Sequence, residues 1–311
     1  MQKYCPKVSI IILNWNGLKD TIECLDSLKK IVYPNYEVIV VDNASTGDDA
    51  GVLEKKYAGY IQIIRSKENL GFCGGNNIGM AKAIEDGSDY VLLLNNDTVV
   101  EQDFLDKLVE VGEMNGKNVI IGSVIADYYT KKTTFTNAKM DRKLNVGVRT
   151  DFLNSDLIYW DTDATHGAAE MFKVKFVQQY NLFLDEKLFL YCDEMDVCQR
   201  AKKNGLNVVM AGKSKIYHKE GASVGGSLNP LSVYYTIRNR ILLSRILLSP
   251  KNRLFFWILF ISARAIRLIE WIFKKERLLI KVFFIAFLDG IRGKRGKNNY
   301  IQTLIKQQNN E

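Results

Sequence analysis

The chain has 311 residues, which is enough for one α/β domain with an appendage, and its 25% charged and 47% hydrophobic residues are ordinary for a globular protein. The net charge of +8 is unevenly placed: residues 228–311 carry 16 Lys and Arg against 4 Asp and Glu, whereas residues 1–227 carry 27 against 31. The basic excess therefore belongs to a tail. This argues against a nucleic-acid-binding core and predicts that the tail meets an anionic surface.

The cysteines and the first residues of the sequence indicate the cellular compartment of the protein. The five cysteines are an odd number, and no two of them have the spacing of a metal site. Such a pattern is typical of reduced thiols in the cytosol. Residues 1–7 lead directly into an apolar run without the features of a secretory signal. We therefore expect a cytoplasmic protein.

Strand-like and helix-like segments alternate four times in the first 100 residues. Short apolar runs, each typical of a strand buried on both faces, are separated by segments with helical spacing. The predicted strands are 8–13, 36–41, 61–65 and 91–94, and the predicted helices are 21–30, 48–57 and 78–86, with a glycine- and asparagine-rich loop at 69–77. This alternation predicts an α/β fold with a parallel sheet built from βαβ units.

Polar residues follow the predicted strands where they end. Asn14 follows the first strand, Asp42 the second and Asp97 the fourth. Ligands of open α/β sheets bind outside the carboxyl ends of the strands, so Asp97 could hold a metal-bound phosphate and Asp42 a nucleotide's base or ribose. A turn that caps the next helix is the alternative for Asp97. The chain lacks the G-x-G-x-x-G and Walker sequences, which argues against dinucleotide enzymes and ATPases.

The second half of the chain carries an acidic cluster and both histidines. Three acids lie within four residues at the start of a predicted helix: Asp193, Glu194 and Asp196. Carboxylates that lie close together raise one another's pKa, which suits a general base. His166 precedes a strand-like segment at 172–177, and His218 follows another such segment. A single histidine is more often structural than a ligand.

Five segments in order resemble one protein family. They are residues 9–17 (SIIILNWNG), 38–46 (VIVVDNAST), 69–79 (NLGFCGGNNIG), 93–98 (LLNNDT) and 193–200 (DEMDVCQR). Together they resemble the inverting, nucleotide-sugar-dependent glycosyltransferases of family 2, and within them the bacterial rhamnosyltransferases that extend lipid-linked polysaccharides. The resemblance implies a GT-A fold, a mostly parallel sheet flanked by helices, at residues 1–227. Its nucleotide-binding half would be about residues 1–100 and its acceptor half about residues 101–227.

The resemblance also assigns roles to particular residues. Asp97 matches the last acid of the family's DxD motif, and would bind the Mg²⁺ or Mn²⁺ that holds the donor's diphosphate, with His218 as a further ligand; the first position of the motif is Asn95 here. The nucleotide-sugar donor would bind to Asn14, Asp42, Arg65, Gly75, Asn76 and Asn96. The acceptor would contact His166, Gly167 and Asp196.

The family's base motif, Glu-Asp-x-Asp, occurs here with its first two acids exchanged. By position Glu194 is the general base, with Asp193 as the alternative. The base would deprotonate an acceptor hydroxyl, which displaces the nucleoside diphosphate in line and inverts the anomeric configuration. The resemblance favours L-rhamnose from dTDP-rhamnose, with UDP-galactose, UDP-glucose or a UDP-N-acetyl sugar as alternatives. The acceptor would be a lipid-linked or polysaccharide hydroxyl.

Residues 228–311 predict a basic amphipathic helical tail. Its apolar runs at 254–261 and 278–288 are broken by charges before they reach the about 18 residues of a spanning helix. On a helical wheel, the basic residues between 253 and 275 share about one third of the circle, which is typical of a helix lying among lipid headgroups. We expect a peripheral protein on the inner face of the cell membrane. The alternative is a helix packed on the catalytic domain or on the partner of a homodimer.

Two other classes of protein stay open at this point. A nucleotidyltransferase would share the nucleotide-binding sheet, but it needs a glycine-rich basic loop after the first strand, and residues 14–19 supply little of one. A lectin-like or scaffold protein would keep the fold without catalysis, and it would not need Asp97, His218 and the acidic cluster. Release of nucleoside diphosphate from sugar nucleotides would separate these classes.

Overall fold

The computed structural model describes residues 4–141, 146–149, 156–219 and 229–308. The strands are β1 (Val8–Asn14), β2 (Tyr36–Asp42), β3 (Ile61–Arg65), β4 (Tyr90–Asn95), β5 (Thr98–Val100), β6 (Asn118–Asp127), β7 (Thr133–Phe135), β8 (Ala138–Asp141), β9 (Val146–Arg149), β10 (Tyr159–Asp161), β11 (Ala169–Lys173) and β12 (Asn207–His218). The helices are α1 (Leu18–Leu28), α2 (Asp49–Lys56), α3 (Gly71–Glu85), α4 (Phe104–Met114), α5 (Val174–Tyr180), α6 (Asp193–Lys203), α7 (Pro230–Leu247), α8 (Pro250–Phe273), α9 (Arg277–Arg292) and α10 (Asn299–Gln308).

The central sheet has the strand order β10-β12-β6-β11-β4-β1-β2-β3. The four strands β3, β2, β1 and β4 are parallel, β11 runs antiparallel between β4 and β6, and β12 is parallel to β6. The predicted α/β fold with a mostly parallel sheet is therefore confirmed. In the register of the sheet, Asn14 lies beside Asp42, and Asp42 lies beside Arg65, so these polar residues share one carboxyl edge.

Helix α3 corrects the prediction of a loop at 69–77, because the helix already begins at Gly71. Its glycines let it approach β1 closely: a Cβ on Gly75 would lie 2.4 Å from Leu13 Cδ1, and one on Gly79 would lie 2.3 Å from Ile11 Cγ2. Packing on the sheet thus outweighs the low helix propensity of glycine and asparagine. Asn77 also fixes the helix, since its amide donates to Leu184 O and accepts from Leu184 N.

The predicted strand at 172–177 is also corrected. Strand β11 ends at Lys173, and helix α5 begins at Val174. Val174 and Val177 are both buried. Their spacing of three residues is compatible with one face of a helix and also with a strand that is buried on both faces. Periodicity alone does not separate a short buried strand from a buried helical turn, which is the reason for the error.

The tail predicted from residue 228 onward forms four helices, and its predicted helical character is confirmed. Helices α7, α8 and α9 pack around an apolar cluster of their own, which includes Tyr235, Phe256, Phe260, Trp271 and Phe283. Among the described residues, no helix combines the length and the apolar character needed to cross a membrane. The boundary proposed at residue 227 falls outside the described residues, and the domain division stays a prediction.

Candidate active site

The predicted nucleotide side of the site is built on a buried asparagine. Asn14 is fully buried at the end of β1, and its amide nitrogen donates to Asp42 Oδ1 at 2.9 Å, Asp49 Oδ2 at 3.0 Å and Ser45 Oγ at 3.1 Å. Its amide oxygen accepts from the Thr21 hydroxyl at 2.8 Å. These bonds fix the Asp42 carboxylate at the edge of the sheet. The structure therefore brings together Asn14 and Asp42, which the sequence analysis placed at the donor.

The other predicted donor residues lie around this edge in different settings. Arg65 is half exposed and bonds to Glu54 Oε2 at 2.7 Å. Asn96 donates to Thr21 Oγ1 at 2.9 Å, and this contact joins the β4–β5 turn to α1. Gly75 and Asn76 lie inside helix α3, where Asn76 bonds to Phe72 O. Their assignment to the donor stays a prediction.

Asp97 and His218 meet at the end of β4. Asp97 is 3% exposed, and its Oδ1 lies 3.1 Å from His218 Nε2. Strand β12 brings His218 there, because His218 pairs with Thr98 of β5. The His166 ring packs edge-on against the His218 ring, with centroids 5.6 Å apart. The predicted metal and acceptor histidines are thus neighbours.

The donor set at Asp97 fits a divalent cation. Within the described ranges Asp97 Oδ1 is buried and makes no hydrogen bond, so a carboxylate oxygen is left for another partner. Carboxylate oxygen and imidazole nitrogen both suit Mn²⁺, and the oxygen suits Mg²⁺. The described residues hold no group of three or more protein ligands that could bind a metal alone. A bound ion would therefore take its other ligands from phosphate oxygens and water.

The three acids of the motif occupy the first turn of α6 and differ in exposure. Asp193 is 3% exposed, and its Oδ2 is buried without a hydrogen bond in the described structure. Burial, followed by the charges of Glu194 and Glu170, raises the pKa of Asp193 well above its usual range. Asp196 bonds to Arg200 at 2.8 Å, whereas Glu194 is half-buried. Glu194 is thus the more accessible of the two candidate bases.

Glu170 is a site residue that the sequence analysis missed. It lies on β11, opposite Leu93 of β4, and is fully buried. Its carboxyl accepts a hydrogen bond from the Thr165 hydroxyl, and burial raises its pKa to about 8. The signal in the sequence was a single acid inside the apolar run 168–172, which marks a charge that the core must accommodate.

The loop before the acidic motif is the second feature that was missed. Phe189, Tyr191 and Cys192 have φ angles of 65°, 65° and 66°, a left-handed conformation that costs a residue with a side chain roughly 1–2 kcal/mol. Asn239 of α7 donates to the carbonyls of Leu188, Leu190 and Tyr191 at 2.9–3.0 Å. The sequence around Asn239 gave no clear signal of this contact, because Asn239 lies between Arg238 and Arg240 in a helix of mixed composition. Helix α7 thus fixes the backbone that leads into the acids.

Arg238, the neighbour of Asn239, ties the same loop to the end of the tail. It is 1% exposed, and its guanidinium donates to Leu188 O at 2.8 Å and to Gly296 O at 2.5 Å. Gly296 N in turn donates to Lys187 O at 2.6 Å. The Phe189 ring stacks on Tyr235 with centroids 5.1 Å apart. The acidic motif is therefore held jointly by the sheet and by the tail helices.

The geometry agrees with the comparisons with known proteins. The model of glycosyl transferase family 2 matches residues 9–180, and the chain belongs to this family. The chain is 26% identical to a dTDP-rhamnosyl transferase, RfbF, of Shigella flexneri over 93% of this chain and 97% of the relative. It is 22% identical to Agl10 of Haloferax volcanii, a hexosyltransferase of low-salt glycan biosynthesis, over 95% and 94% of the two chains.

Solved structures share the fold. One of them is GalNAc-T7 with UDP, GalNAc and Mn²⁺, with a TM-score of 0.62 and 14% identity over 76% of this chain and 48% of that one. The mannosyltransferase PcManGT of Pyrobaculum calidifontis, in complex with GDP-Man and Mn²⁺, has a TM-score of 0.58 and 15% identity over 98% and 80%. The predicted GT-A fold is confirmed, and the chain is a family 2 glycosyltransferase.

Proposed function

We propose that this glycosyltransferase transfers one sugar from a nucleotide-sugar donor to an acceptor hydroxyl with inversion at the anomeric carbon. The observation that carries the proposal is that Asp97 and His218 meet at the end of β4, where the ring of His166 packs against His218. Glu170, on the neighbouring strand β11, lies close enough to the acids of α6 for its charge to raise the pKa of Asp193. The donor's diphosphate would bind at the end of β4, and the acceptor hydroxyl at the acids of α6.

Glu194 is the proposed general base. Its half-exposed carboxylate can reach an acceptor hydroxyl, whereas Asp193 is buried and this burial raises its pKa, which makes it the weaker candidate for an ionised base. Glu194 would take the hydroxyl proton as the acceptor oxygen bonds to the anomeric carbon, and the bond from this carbon to the diphosphate oxygen breaks. One displacement of this kind inverts the configuration.

Asp97 and His218 are the residues that would hold Mg²⁺ or Mn²⁺. The ion would offset the negative charge that develops on the departing diphosphate. Support comes from the buried Asp97 oxygen without a hydrogen bond in the described structure, and from the Mn²⁺ in the structures of GalNAc-T7 and PcManGT. The remaining predicted donor and acceptor residues keep their proposed roles around this pair.

L-Rhamnose from dTDP-rhamnose is the proposed donor, on the strength of the similarity to RfbF along nearly the whole chain. UDP-galactose, UDP-glucose and UDP-N-acetyl sugars are the alternatives. TarS of S. aureus, another protein with this fold, is known in complex with UDP-GlcNAc. The proposed acceptor is a hydroxyl of a lipid-linked or polysaccharide glycan.

The outer face of α8 supports membrane association. Its exposed apolar side chains include Leu254, Ile258, Ile261, Ile266, Ile269, Ile272 and Phe273. An apolar helix face with basic residues beside it is typical of proteins that lie among anionic headgroups. We place the protein on the inner face of the cell membrane, where it meets both a cytosolic donor and a lipid-linked acceptor.

A panel of sugar nucleotides tests the function. Release of nucleoside diphosphate is measured with and without Mn²⁺ for the wild-type chain, for Asp97→Asn and for the control Asp103→Asn, whose side chain is exposed. We expect one nucleotide sugar to be preferred, and Asp97→Asn to lower the metal-stimulated rate about 100-fold or more while the control keeps it. Release of pyrophosphate from a nucleoside triphosphate and a sugar phosphate would instead identify a nucleotidyltransferase.

A further inference from the structure

A buried hydroxyl on α1 connects two parts of the site. Thr21 is fully buried, and its hydroxyl donates to Asn14 Oδ1 at 2.8 Å and accepts from Asn96 Nδ2 at 2.9 Å. Asn14 belongs to the nucleotide edge of the sheet, where its amide nitrogen donates to Asp42 Oδ1. Asn96 directly precedes Asp97 in the turn between β4 and β5. A chain of side-chain hydrogen bonds therefore runs from Asp42 to the turn that carries Asp97.

The direction of the Thr21 hydroxyl follows from its surroundings. Gly17 O lies 3.0 Å from it but already accepts from Thr21 N, whereas Asn14 Oδ1 has no other donor among the described residues. A buried oxygen without a donor costs free energy, so the hydroxyl proton is directed to Asn14. Thr21 Oγ1 is then an acceptor for the amide of Asn96. One hydroxyl thus fixes the side-chain amides of both asparagines.

Helix α1 approaches the same turn closely at its start. A Cβ on Gly17 would lie 2.4 Å from Asn96 Nδ2, which is too short for any side chain unless Asn96 moves. The Gly17 φ angle of −120° is open to other residues, so space and not backbone conformation accounts for the glycine here. The glycine therefore lets the amide of Asn96 reach Thr21.

A second set of contacts attaches the metal pair to α1. Lys219 directly follows His218, and its buried ammonium group pairs with Asp20 and Glu23 of α1 at 2.6 Å each. Lys219 N also donates to Asp97 O at 3.0 Å. These contacts do not involve the hydroxyl chain, so they should keep the fold together when that chain alone is removed.

We infer that Thr21 is a positioning residue that holds the nucleotide edge and the metal-binding turn at a fixed distance, so that one nucleoside diphosphate binds to both. Such a ligand would place its base or ribose at Asp42 and its phosphates on the ion at Asp97, and would thus span the chain. Groups that are held in place before binding lose less freedom on binding, which raises the affinity. The roles of Asp42 and Asp97 rest on the proposed function. The hydrogen-bond chain rests on the structure alone.

Binding of dTDP and of UDP to the full chain, measured by calorimetry in EDTA and in Mn²⁺, tests the inference without any transfer reaction. We expect Mn²⁺ to strengthen binding to the wild-type chain about tenfold or more. Thr21→Val, which keeps the shape of the side chain, should weaken binding in EDTA about threefold or more and reduce the gain from Mn²⁺ to less than about threefold. Thr21→Ser should restore both values. The matched control Thr162→Val removes another buried hydroxyl, beside β10, and should change each value less than about twofold.

Gly17→Ala separates the two ends of the chain. Its methyl group would displace the amide of Asn96, while Thr21 can still donate to Asn14. We therefore expect Gly17→Ala to keep the affinity in EDTA and to lose most of the gain from Mn²⁺. A general loss of packing would not give this pattern, because it would lower both values together.

Two results would overturn the inference. The first is an unchanged affinity in EDTA and an unchanged gain from Mn²⁺ for Thr21→Val, with thermal melting showing that the variant is folded. The second is an equal loss in Thr162→Val, which would mean that removal of any buried hydroxyl has this effect. Nucleotide binding to the wild-type chain that Mn²⁺ does not strengthen would instead refute the proposed metal site, and the measurement of Thr21→Val in EDTA would still test the nucleotide end of the chain.

Discussion

Replacement of Glu170 by glutamine should reduce the pH dependence of the protein's stability. The carboxyl is fully buried on β11, and burial raises its pKa from 4.5 to about 8. Between these two values the unfolded chain has released the proton while the folded chain still binds it. Folding therefore takes up a proton, and the stability of the protein falls as the pH rises from about 4.5 to about 8.

The size of the effect follows from the two pKa values. At pH 5 the unfolded state gains about 1 kcal/mol from ionisation of Glu170, and at pH 7 it gains about 3–4 kcal/mol. The wild-type chain should therefore lose about 2–3 kcal/mol more stability between pH 5 and pH 7 than Glu170→Gln does. An amide in place of the carboxyl leaves one buried group without a partner, which costs about 1–3 kcal/mol at every pH and does not alter this difference.

Urea unfolding followed by circular dichroism at pH 5, 6 and 7 measures the difference. Glu85→Gln, on the exposed side of α3, is the matched control and should follow the wild-type chain. Other buried acids such as Asp193 contribute in the same direction to all three proteins. Parallel curves of stability against pH for the wild-type chain and Glu170→Gln would refute the reasoning, because they would mean that Glu170 is already ionised in the folded protein.

Three further predictions concern the base, its supporting loop and the membrane. Glu194→Gln should lower turnover about 100-fold or more with the KM for the donor unchanged, and a larger loss in Asp193→Asn would exchange their roles. Asn239→Ala should lower both turnover and the melting temperature, because three loop carbonyls lose their hydrogen bonds to Asn239. Normal turnover would show that the loop keeps its conformation without these hydrogen bonds. Ile266→Glu should reduce sedimentation with anionic vesicles while the control Val52→Glu on α2 does not, and equal sedimentation would contradict the α8 assignment.

The nucleotide half of the fold was predictable because each element carries its own signal. The strand at 61–65 has the predicted bounds, and β1 and β2 each extend one residue beyond the prediction. The mainly apolar strands β1 and β2 end at Asn14 and Asp42, and β3 ends at Arg65. The start of α3 was not predictable from local propensity. It depends on the contact of Gly75 and Gly79 with β1, which only the assembled sheet provides.

The acids of the site were predictable from the sequence, whereas the residues that support them were not. Asp97 and the acids of α6 stand where polar residues interrupt an apolar pattern; Asp97 meets His218 at the end of β4, and the acids occupy the first turn of α6. Glu170 is set apart by its burial, and Asn239 by hydrogen bonds to residues that are distant in sequence. Asn239 meets carbonyls about 50 residues earlier in the chain. The periodicity of apolar residues in the sequence does not predict such a contact, because the contact depends on how α7 packs.

The contacts from α7 explain how the strained loop before α6 can hold the acids of α6 in place. Three left-handed residues cost together about 3–6 kcal/mol, by the single-residue value. The two N–H groups of Asn239, shared among three carbonyls and contributing about 0.5–1.5 kcal/mol each, and the stacking of Phe189 on Tyr235 offset a large part of that cost. All these partners belong to α7. Helix α7 thus fixes the loop that leads into the proposed base, and a shift of α7 should move this loop and Glu194 with it.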